Sequence, residues 1–526
     1  MVAGGATDFQ ARGVILHPLR MKWMLLLLFT SSTCLSYRIL SVQHAPSKSH
    51  YNLMMGLVKP LLEAGHEVTM ITIYPDKKPI KNLRVIDLSV LQNAVDHVDI
   101  MKNDAKLMRE MRRVVANISA TITEHPEVRQ ALTGVNYDAV ISEYFFSDVE
   151  AGYAATLQVP WIQLHGEMTP HLELLMDSLR GVATVPVIMN SVPIPMSLGQ
   201  RLKNTLWYFL ISYGFLKDYS ASELEYQQKF GPLAEARGHK LRPYSEAIRD
   251  ISVLFLNSHP SYAAARSLPP NVVEIGGYHI DDYVPPLPQD LQELLDSSKN
   301  GVVYFSMGSV IKAKLLAEKL KKDLLKMFSA LPYTVLWKLE DKIENPPKNL
   351  HVRAWMPQPS ILSHPNVKVF ITHGGALSTI ESLHFGKPIL AVPVFGDQPS
   401  NAEQSVHAGR ALMVPYSPDM VPELSVALNE MLSNDSYYKR AQYLSSLFHK
   451  RPLPPRKLVT SYVELAIESK GAHHLRSRST LYKWYEIYML DQAAVLLVIL
   501  YVIYRILCKM ATILKRTFSN KKLKTH

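Results

Sequence analysis

The stretch that decides the fold is Val367-Lys368-Val369-Phe370-Ile371-Thr372, followed at once by His373-Gly374-Gly375. The apolar run predicts a buried strand over 367–372, and the residues after the glycines predict a helix over 376–385. Where a strand turns into a helix in this way, free backbone N–H groups and the helix dipole favour an anion. The glycines let a diphosphate approach the backbone closely. The stretch therefore predicts an α/β fold with a phosphate site at the carboxyl end of a strand.

Side chains suited to a nucleotide sugar flank this turn on both sides. Trp355 offers a flat face on which a base can stack, and Ser378 adds a hydroxyl one turn into the helix. Glu381 lies three residues further on the same helix face, where its carboxylate can accept from two ribose hydroxyls. Asp397 and Gln398, which follow another strand, supply acceptors and donors for sugar hydroxyls.

Strands and helices alternate along most of the chain, which predicts parallel sheets. The first series has predicted strands at 38–43, 67–73, 83–88, 137–142 and 160–165, with helix patterns from Leu53 and from Asp104. The second series has predicted strands at 302–305, 334–338, 350–354, 367–372, 388–393 and 411–415, with helices at 315–330 and 376–385. Residues 170–250 are of mixed, mainly helical pattern. We therefore expect two doubly wound domains of similar size.

Both ends of the chain carry signals for a membrane. Lys22 and the apolar run after it predict a signal peptide near 21–36. Residues 487–508 are mostly apolar and predict one transmembrane helix, although the uninterrupted run is only 492–504. Seven Lys and Arg residues and no acid follow from Arg505 on, so much of the net charge of +11 lies in a tail. That distribution favours a membrane-proximal tail over a patch for nucleic acid.

The cysteines and the last residues indicate the compartment. Cys34 falls in the predicted leader and Cys508 at the membrane edge, so the body between them has no disulfide and no thiolate metal site. Lys522 and Lys524 resemble a dilysine retrieval signal of endoplasmic reticulum proteins. The sequence therefore predicts a single-pass type I protein of the endoplasmic reticulum membrane, with a lumenal body and a cytosolic tail.

Two common nucleotide motifs are absent from the sequence. The first strand leads into residues 44–50 and the second series into Ser306-Met307-Gly308-Ser309, and neither stretch is a Gly-x-Gly-x-x-Gly motif or a P-loop. A dinucleotide dehydrogenase is therefore not expected. The composition, with 47% hydrophobic and 20% charged residues, also excludes a disordered chain.

The residues from Trp355 to Gln398 resemble the signature of the family 1 UDP-glycosyltransferases in residue type and spacing. Further similar stretches are Gly65-His66-Glu67-Val68-Thr69, Ile275-Gly276-Gly277, Phe305-Ser306-Met307-Gly308-Ser309 and Gly471-Ala472-His473-His474-Leu475, so the resemblance covers about residues 37–526. The branch it resembles is the membrane-bound animal one, and Leu377 is more like the insect members. The resemblance implies two facing Rossmann-like domains (GT-B), followed by a single C-terminal transmembrane helix.

The resemblance gives each part of the chain a role. The parts are a leader at 1–36, an N-terminal acceptor-binding domain at 37–258, an interdomain linker at 259–288, a C-terminal UDP-sugar-binding domain with returning helices at 289–486, a transmembrane helix at 487–508 and a basic tail at 509–526. By resemblance, uracil binds at Trp355 and Gln358, the diphosphate at Ser309, His373, Gly375 and Ser378, the ribose at Glu381, and the sugar at Asp397 and Gln398. No metal and no cofactor are expected, because the UDP-sugar is a co-substrate.

The same resemblance implies an inverting transfer that needs a general base. The family's base is a His after the first strand, and His50 fits that place, with His44 as its rival. The family's second member is an Asp that orients this His at the end of the strand 137–142. The aligned residue here is Glu143, which is one methylene longer, and Asp148 is the alternative.

Two functions from different classes follow. The first is an enzyme that transfers a sugar from a UDP-sugar to a small lipophilic alcohol or phenol, giving a β-glycoside and UDP. Glucose is the preferred donor sugar, from the insect-like resemblance, and glucuronate is the alternative. The second is a catalytically silent, membrane-anchored UDP-sugar-binding subunit that partners an active relative. Homo- or hetero-oligomers remain open, a lipid bilayer is expected as a partner, and nucleic acid is not.

Overall fold

The computed structural model describes residues 36–76, 78–94, 105–176, 181–187, 192, 194–308 and 316–522. Within these ranges the chain forms two α/β domains, each built on a parallel sheet, and ends in a long helix. Residues 21–35 of the predicted signal peptide, Ser309 and the lysine at position 524 lie outside the described residues.

The N-terminal domain is a sheet of seven parallel strands in the order β3-β2-β1-β4-β5-β6-β7. Its strands are β1 (Arg38–Gln43), β2 (Glu67–Thr72), β3 (Leu83–Asp87), β4 (Ala139–Glu143), β5 (Trp161–His165), β6 (Ile251–Leu256) and β7 (Val272–Glu274). Its helices are α1 (Lys48–Glu63), α2 (Ala105–Glu124), α3 (Pro126–Gly134), α4 (Ala151–Leu157), α5 (Pro170–Leu175), α6 (Leu198–Ala236) and α7 (Tyr244–Ala247). The central strands are buried on both faces because helices cover both sides, as parallel sheets require.

The C-terminal domain repeats this plan with six parallel strands in the order β10-β9-β8-β11-β12-β13. Its strands are β8 (Val302–Ser306), β9 (Thr334–Lys338), β10 (Leu350–Arg353), β11 (Val367–Thr372), β12 (Ile389–Ala391) and β13 (Ala411–Met413). Its helices are α8 (Gln289–Ser297), α9 (Glu318–Ser329), α10 (Gln358–Ser363), α11 (Ala376–His384), α12 (Gln398–His407), α13 (Val421–Ser433) and α14 (Ser436–Phe448).

The chain then returns to the first domain. Helix α15 (Pro455–Glu468) buries Val459, Val463 and Ala466 in the hydrophobic core beneath α1. Arg456, at its start, donates to Glu63 of α1 at 2.6 Å and to Asp281 of the connecting segment at 2.9 Å. The returning helix predicted from the resemblance therefore belongs structurally to the N-terminal domain.

The predicted linker also contributes to the first sheet. Strand β7 lies within 259–288 and pairs with β6, so the N-terminal sheet extends beyond residue 258. Neither β6 nor β7 was predicted, because β6 lies directly after the unresolved pattern of 170–250 and β7 has only three residues. The mixed segment itself contains α6, a single helix of 39 residues.

The last helix is longer than its apolar run alone predicts. After α16 (Trp484–Ile487), α17 covers Leu490–Lys522, so the helix starts after position 487 and continues beyond position 508. Within its segment Leu490–Arg516, a window of 18 residues has a mean hydropathy of 2.1, and none of that window is buried. Among the described residues it is the one helix long and apolar enough to cross a membrane. Arg505 donates to the Tyr501 hydroxyl one turn earlier at 2.8 Å, which directs the guanidinium along the helix.

Candidate active site

The loops at the carboxyl ends of the two sheets meet between the domains. Tyr262, from the segment after β6, donates its hydroxyl to Asn401 of α12 at 2.7 Å. On another side of the cleft, His279 Nε2 of the connecting segment lies 3.4 Å from Glu381 Oε1 of α11. The site is therefore built from side chains of both halves, as expected where strands of parallel sheets end.

His50 lies in the first turn of α1, directly after the loop that leaves β1. Ser47 caps this helix, because its hydroxyl accepts from the Ser49 backbone N–H at 3.3 Å. The cap fixes where the helix starts and so directs His50 towards the end of the neighbouring strand β4, which pairs with β1. Phe145 packs edge-on against the imidazole with 4.7 Å between ring centroids.

His50 and Glu143 form a hydrogen-bonded pair. His50 Nδ1 lies 2.6 Å from Glu143 Oε1, and Glu143 is the last residue of β4. The carboxylate side chain is 5% exposed and the imidazole 25% exposed, so the pair opens to solvent on the His50 side. Burial lowers the pKa of His50, but the charge and hydrogen bond of Glu143, with a contribution from Asp397, raise it further, and the net shift is upward. With Nδ1 occupied, Nε2 is the nitrogen left to take a proton.

The two alternative residues point elsewhere. His44 is buried, and its Nε2 lies 3.8 Å from Glu150 Oε1. Asp148 is hydrogen-bonded to His171, whose ring stacks on Phe215 at 4.0 Å. The structure therefore brings Glu143, and not Asp148, to His50.

The predicted phosphate turn is held open by glycines around His373. A Cβ at Gly375 would lie 2.5 Å from His373 Nε2, and one at Gly308 would lie 2.6 Å from Cε1 of the same ring. Gly308 and Gly374 also have φ values of +76° and +79°, which favour glycine. Burial, and then the charge of Lys338, lower the pKa of His373 to about 4. The ring is therefore neutral near pH 7 and can offer an N–H without a charge.

Gln358 joins two residues of α11 into one network. Its Nε2 donates to Glu381 Oε2 at 2.6 Å and to the Ser378 hydroxyl at 3.1 Å. Its Oε1 accepts from the hydroxyl of Tyr304 on β8 at 3.2 Å. One predicted residue each for uracil (Gln358), ribose (Glu381) and the diphosphate (Ser378) therefore lies within one set of hydrogen bonds.

Asp397 and Gln398 lie at the start of α12. Asp397 Oδ2 accepts from Asn401 at 2.6 Å, and burial raises the pKa of Asp397 although this hydrogen bond opposes the rise. Gln398 is buried, and its Oε1 accepts from the backbone of Val394 at 2.9 Å and of Phe395 at 3.2 Å. The Gln398 side chain therefore holds the backbone of the loop that precedes α12.

Trp355 stands apart from the core at the head of the predicted donor residues. Its side chain is 63% exposed, so the flat face available for stacking is not used by the protein interior. Ser309, which the resemblance assigns to the diphosphate, lies outside the described residues and its role stays a prediction.

Two residues at the cleft were not predicted from the sequence. Both ring nitrogens of His279 are buried, and neither has a hydrogen-bond partner among the described residues. A Cβ at Gly56 of α1 would lie 2.8 Å from the Cα of His279, so the glycine makes room for this segment. Glu167, after β5, has its pKa raised to about 7 by burial, which the charge of Arg266 opposes and that of Asp397 supports. For His279, the Gly276-Gly277 pair just before it was the sequence signal that could have identified the segment as part of the site.

Metal ligands do not cluster in the described part of the chain. No group of three or more His, Cys, Asp or Glu side chains there is placed to hold a metal ion. The expectation of a reaction without metal or cofactor stays a prediction.

Solved structures share this two-domain architecture. The glycosyltransferase of kitacinnamycin superposes with a TM-score of 0.51 at 18% identity, covering 82% of this chain and 98% of that one. The spinosyn forosaminyltransferase SpnP superposes with a TM-score of 0.52 at 15% identity, covering 82% of this chain and all of that one. At these identities the likeness concerns the fold alone. It confirms the predicted GT-B class of two Rossmann-like domains, here followed by one apolar helix.

Fold and sequence together define a glycosyltransferase. A UDP-glucosyltransferase 2 from Dactylopius coccus is 32% identical over 463 residues, covering 86% of this chain and 88% of that protein. The human UDP-glucuronosyltransferase 2B10 is 24% identical, covering 91% and 94%. The family model described as "UDP-glucoronosyl and UDP-glucosyl transferase" matches residues 61–525, and the chain belongs to this family. It is an enzyme that transfers sugar from a UDP-sugar.

Proposed function

We propose that the protein transfers glucose from UDP-glucose, with inversion, to the hydroxyl of a small lipophilic alcohol or phenol, without a metal or cofactor. The observation that carries the proposal is the 2.6 Å hydrogen bond between His50 and Glu143, in a cleft where the charge of Asp397 reaches His50 from the other domain. This arrangement supports a base on one side of the reacting carbon and a donor site on the other.

In the proposed reaction, His50 Nε2 takes the proton of the acceptor hydroxyl as its oxygen attacks the anomeric carbon. The bond from that carbon to the UDP oxygen breaks on the opposite face, so a β-glycoside and UDP result. Glu143 stabilises the imidazolium that forms. The backbone N–H groups and helix dipole at the start of α11 stabilise the charge that builds up on the leaving diphosphate.

The charge of the cleft supports a neutral donor sugar. Asp397, which the resemblance assigns to the sugar, acts on Glu167 from across the cleft and helps to raise its pKa. A glucuronate carboxylate would add a further negative charge beside these two groups. Glucose adds none, and the similar UDP-glucosyltransferase 2 supports the same choice.

The decisive experiment offers membranes that contain the protein labelled UDP-glucose, UDP-glucuronate and UDP-galactose with mixed phenols, and identifies the conjugates. We expect glucosides. Glucuronides would instead assign glucuronate as the donor sugar. UDP binding without any conjugate would favour the alternative function, a catalytically silent UDP-sugar-binding subunit. We further propose a single-pass type I placement in the endoplasmic reticulum with the body in the lumen. The terminal helix Leu490–Arg516 supports an anchor of this kind.

Trp355→Ala should weaken UDP binding, because stacking on the base is lost. A loss of about 1–3 kcal/mol is expected if base stacking on aromatic residues in nucleic-acid sites is a guide. Equilibrium binding of UDP to the full chain measures it. Trp484→Ala removes a tryptophan of equal exposure, 63%, outside the cleft and is the matched control. Equal UDP affinity in both variants would place the uracil site elsewhere.

The protein should bind UDP more tightly than 2′-deoxy-UDP, and His279→Leu should reduce this ratio of affinities by up to about tenfold. Its imidazole faces Glu381, the proposed ribose residue, and leucine keeps the volume but removes the N–H. His279→Gln retains an N–H and should retain the preference. The measurement is the ratio of the two dissociation constants. If Glu381→Gln narrows the ratio and His279→Leu does not, His279 plays no part in ribose recognition.

A further inference from the structure

The N-terminal half of α6 exposes an apolar stripe. Six large side chains recur at intervals of three or four residues and are each between 59% and 68% exposed. They are Leu198, Leu202, Leu206, Phe209, Tyr213 and Leu216, which we call the α6 stripe. Intervals of three and four residues place side chains on one face of a helix. A water-soluble surface rarely carries so long an unbroken apolar face.

The inner face of the same helix segment is mixed, with buried polar side chains beside the half-buried ring of Phe215. Asn204, Tyr208 and Ser212 all point inward. Asn204 alone accepts from the Val187 backbone N–H at 2.9 Å and donates to the carbonyl of Val185 at 2.9 Å. The segment therefore differs from an ordinary surface helix, because its largest exposed side chains are apolar while polar side chains are buried on its inner face. An apolar outer face of this kind is expected where the surroundings of the helix are apolar.

The charges beside the stripe are basic. Arg201, Lys203 and Lys217 are exposed, and no acidic residue occurs between positions 194 and 217. The next acid, Asp218, is paired with Arg112 of α2. A basic border around an apolar face complements anionic lipid headgroups.

We propose that the α6 stripe lies on the surface of the lipid bilayer that α17 enters. The stripe runs from position 198 to 216, which is about 27 Å of helix at 1.5 Å per residue. It does not cross the membrane, because its inner face is packed against the domain. The chain's own apolar helix Leu490–Arg516 supplies the reason for a bilayer rather than another protein, since it holds the body next to a membrane.

The same helix connects the membrane face to the cleft. Phe215 lies on the inner side of α6. Its ring stacks on that of His171 with 4.0 Å between centroids, and its centroid lies 6.3 Å from that of the Tyr144 ring. Tyr144 and its neighbour Phe145 follow Glu143, and Phe145 contacts His50. Aromatic side chains therefore connect the inner side of α6 with the proposed base, through Tyr144 and the adjacent Phe145. A lipophilic acceptor dissolved in the bilayer would meet the N-terminal domain beside these rings.

Lipid-borne quenching tests the proposal on the full chain. In a background with Cys34→Ser and Cys508→Ser, Leu206→Cys carries an environment-sensitive fluorophore after reconstitution into phosphatidylcholine vesicles with phosphatidylserine. Val426→Cys, on the exposed side of α13, is the control, because Val426 is apolar and 71% exposed. UDP binding verifies that each variant is folded, and Tyr213→Cys serves as a second site on the stripe.

We expect nitroxide lipids to remove most of the fluorescence at Leu206→Cys and to leave Val426→Cys unchanged. A nitroxide near the headgroup should quench more than one near the chain end, since interfacial helices lie about 5–10 Å deep. Replacing Arg201, Lys203 and Lys217 by Gln should reduce quenching in vesicles with phosphatidylserine more than in vesicles without it. Equal quenching at the two sites would overturn the proposal. Energy transfer between labelled copies at Leu206→Cys would show a second copy on the stripe and would overturn it too.

Discussion

His50→Ala should lose about 10²–10⁴-fold in turnover with an alcohol acceptor while UDP binding stays nearly unchanged. The imidazole is the one general base that the geometry offers at the end of β1, since His44 is buried beside Glu150. The donor residues lie in the other domain and do not depend on it. Turnover with a series of acceptors measures the expected loss, and the dissociation constant of UDP tests whether donor binding is unchanged.

The loss should shrink as the acceptor becomes more acidic, because an acidic phenol needs less help to lose its proton. His44→Gln is the comparison, and it should leave this dependence on acceptor acidity as it is in the unmodified protein. Full turnover of His50→Ala with a poorly acidic alcohol would assign the base to His44 or to water.

The rate should also rise with pH through the pKa of His50. Burial lowers this pKa, but Glu143 raises it by more, so the imidazole is protonated to higher pH than an ordinary histidine. A protonated imidazole cannot accept the hydroxyl proton, and kcat/KM therefore falls on the acid side of that pKa. Loss of the Glu143 charge should shift this acid limb to lower pH.

Glu143→Gln should reduce turnover by about 10²-fold, at the low end of what a general base contributes. The amide does not stabilise the imidazolium that forms during transfer. Its NH₂ group can also donate to Nδ1, which would move the ring proton to Nε2, where the acceptor proton must go. Steady-state kinetics with a poorly acidic alcohol, and the pH profile, measure the effect.

Asp148→Asn makes the same chemical change five residues along the chain and is the matched control. Asp148 is bonded to His171 rather than to His50, so its loss should leave the pH profile of turnover in place. If Glu143→Gln leaves turnover unchanged and Asp148→Asn reduces it, Asp148 rather than Glu143 is the residue that orients the base.

The strands of the C-terminal domain were predictable because they are local. Val367–Thr372 and Thr334–Lys338 are short apolar runs between clear stop signals, and the structure has the same bounds. The motif after Val367–Thr372 also predicted which residues gather at its end, and the bonds of Gln358 to Ser378 and Glu381 agree with this.

Features that depend on distant packing were not predictable. The apolar residues of α6 have helical spacing, which ordinarily predicts an inward face, whereas the structure turns that face outward. His279 lies in a segment of apparent linker, and only the meeting of the two domains places it beside Glu381. The Gly276-Gly277 pair draws attention to the segment of His279, but nothing in the sequence around it indicates that Glu381 lies beside it.

The return of the chain through α15 determines which domain the terminal apolar helix is attached to. Arg456 ties the start of α15 to α1, and Arg476, shortly before the terminal helix, pairs with Asp250 of the N-terminal domain at 2.6 Å. The terminal helix is therefore attached to the domain that carries His50, although it follows the C-terminal domain in sequence. If the cleft opens, the N-terminal domain therefore stays with the terminal helix, and the C-terminal domain is the part that moves relative to it.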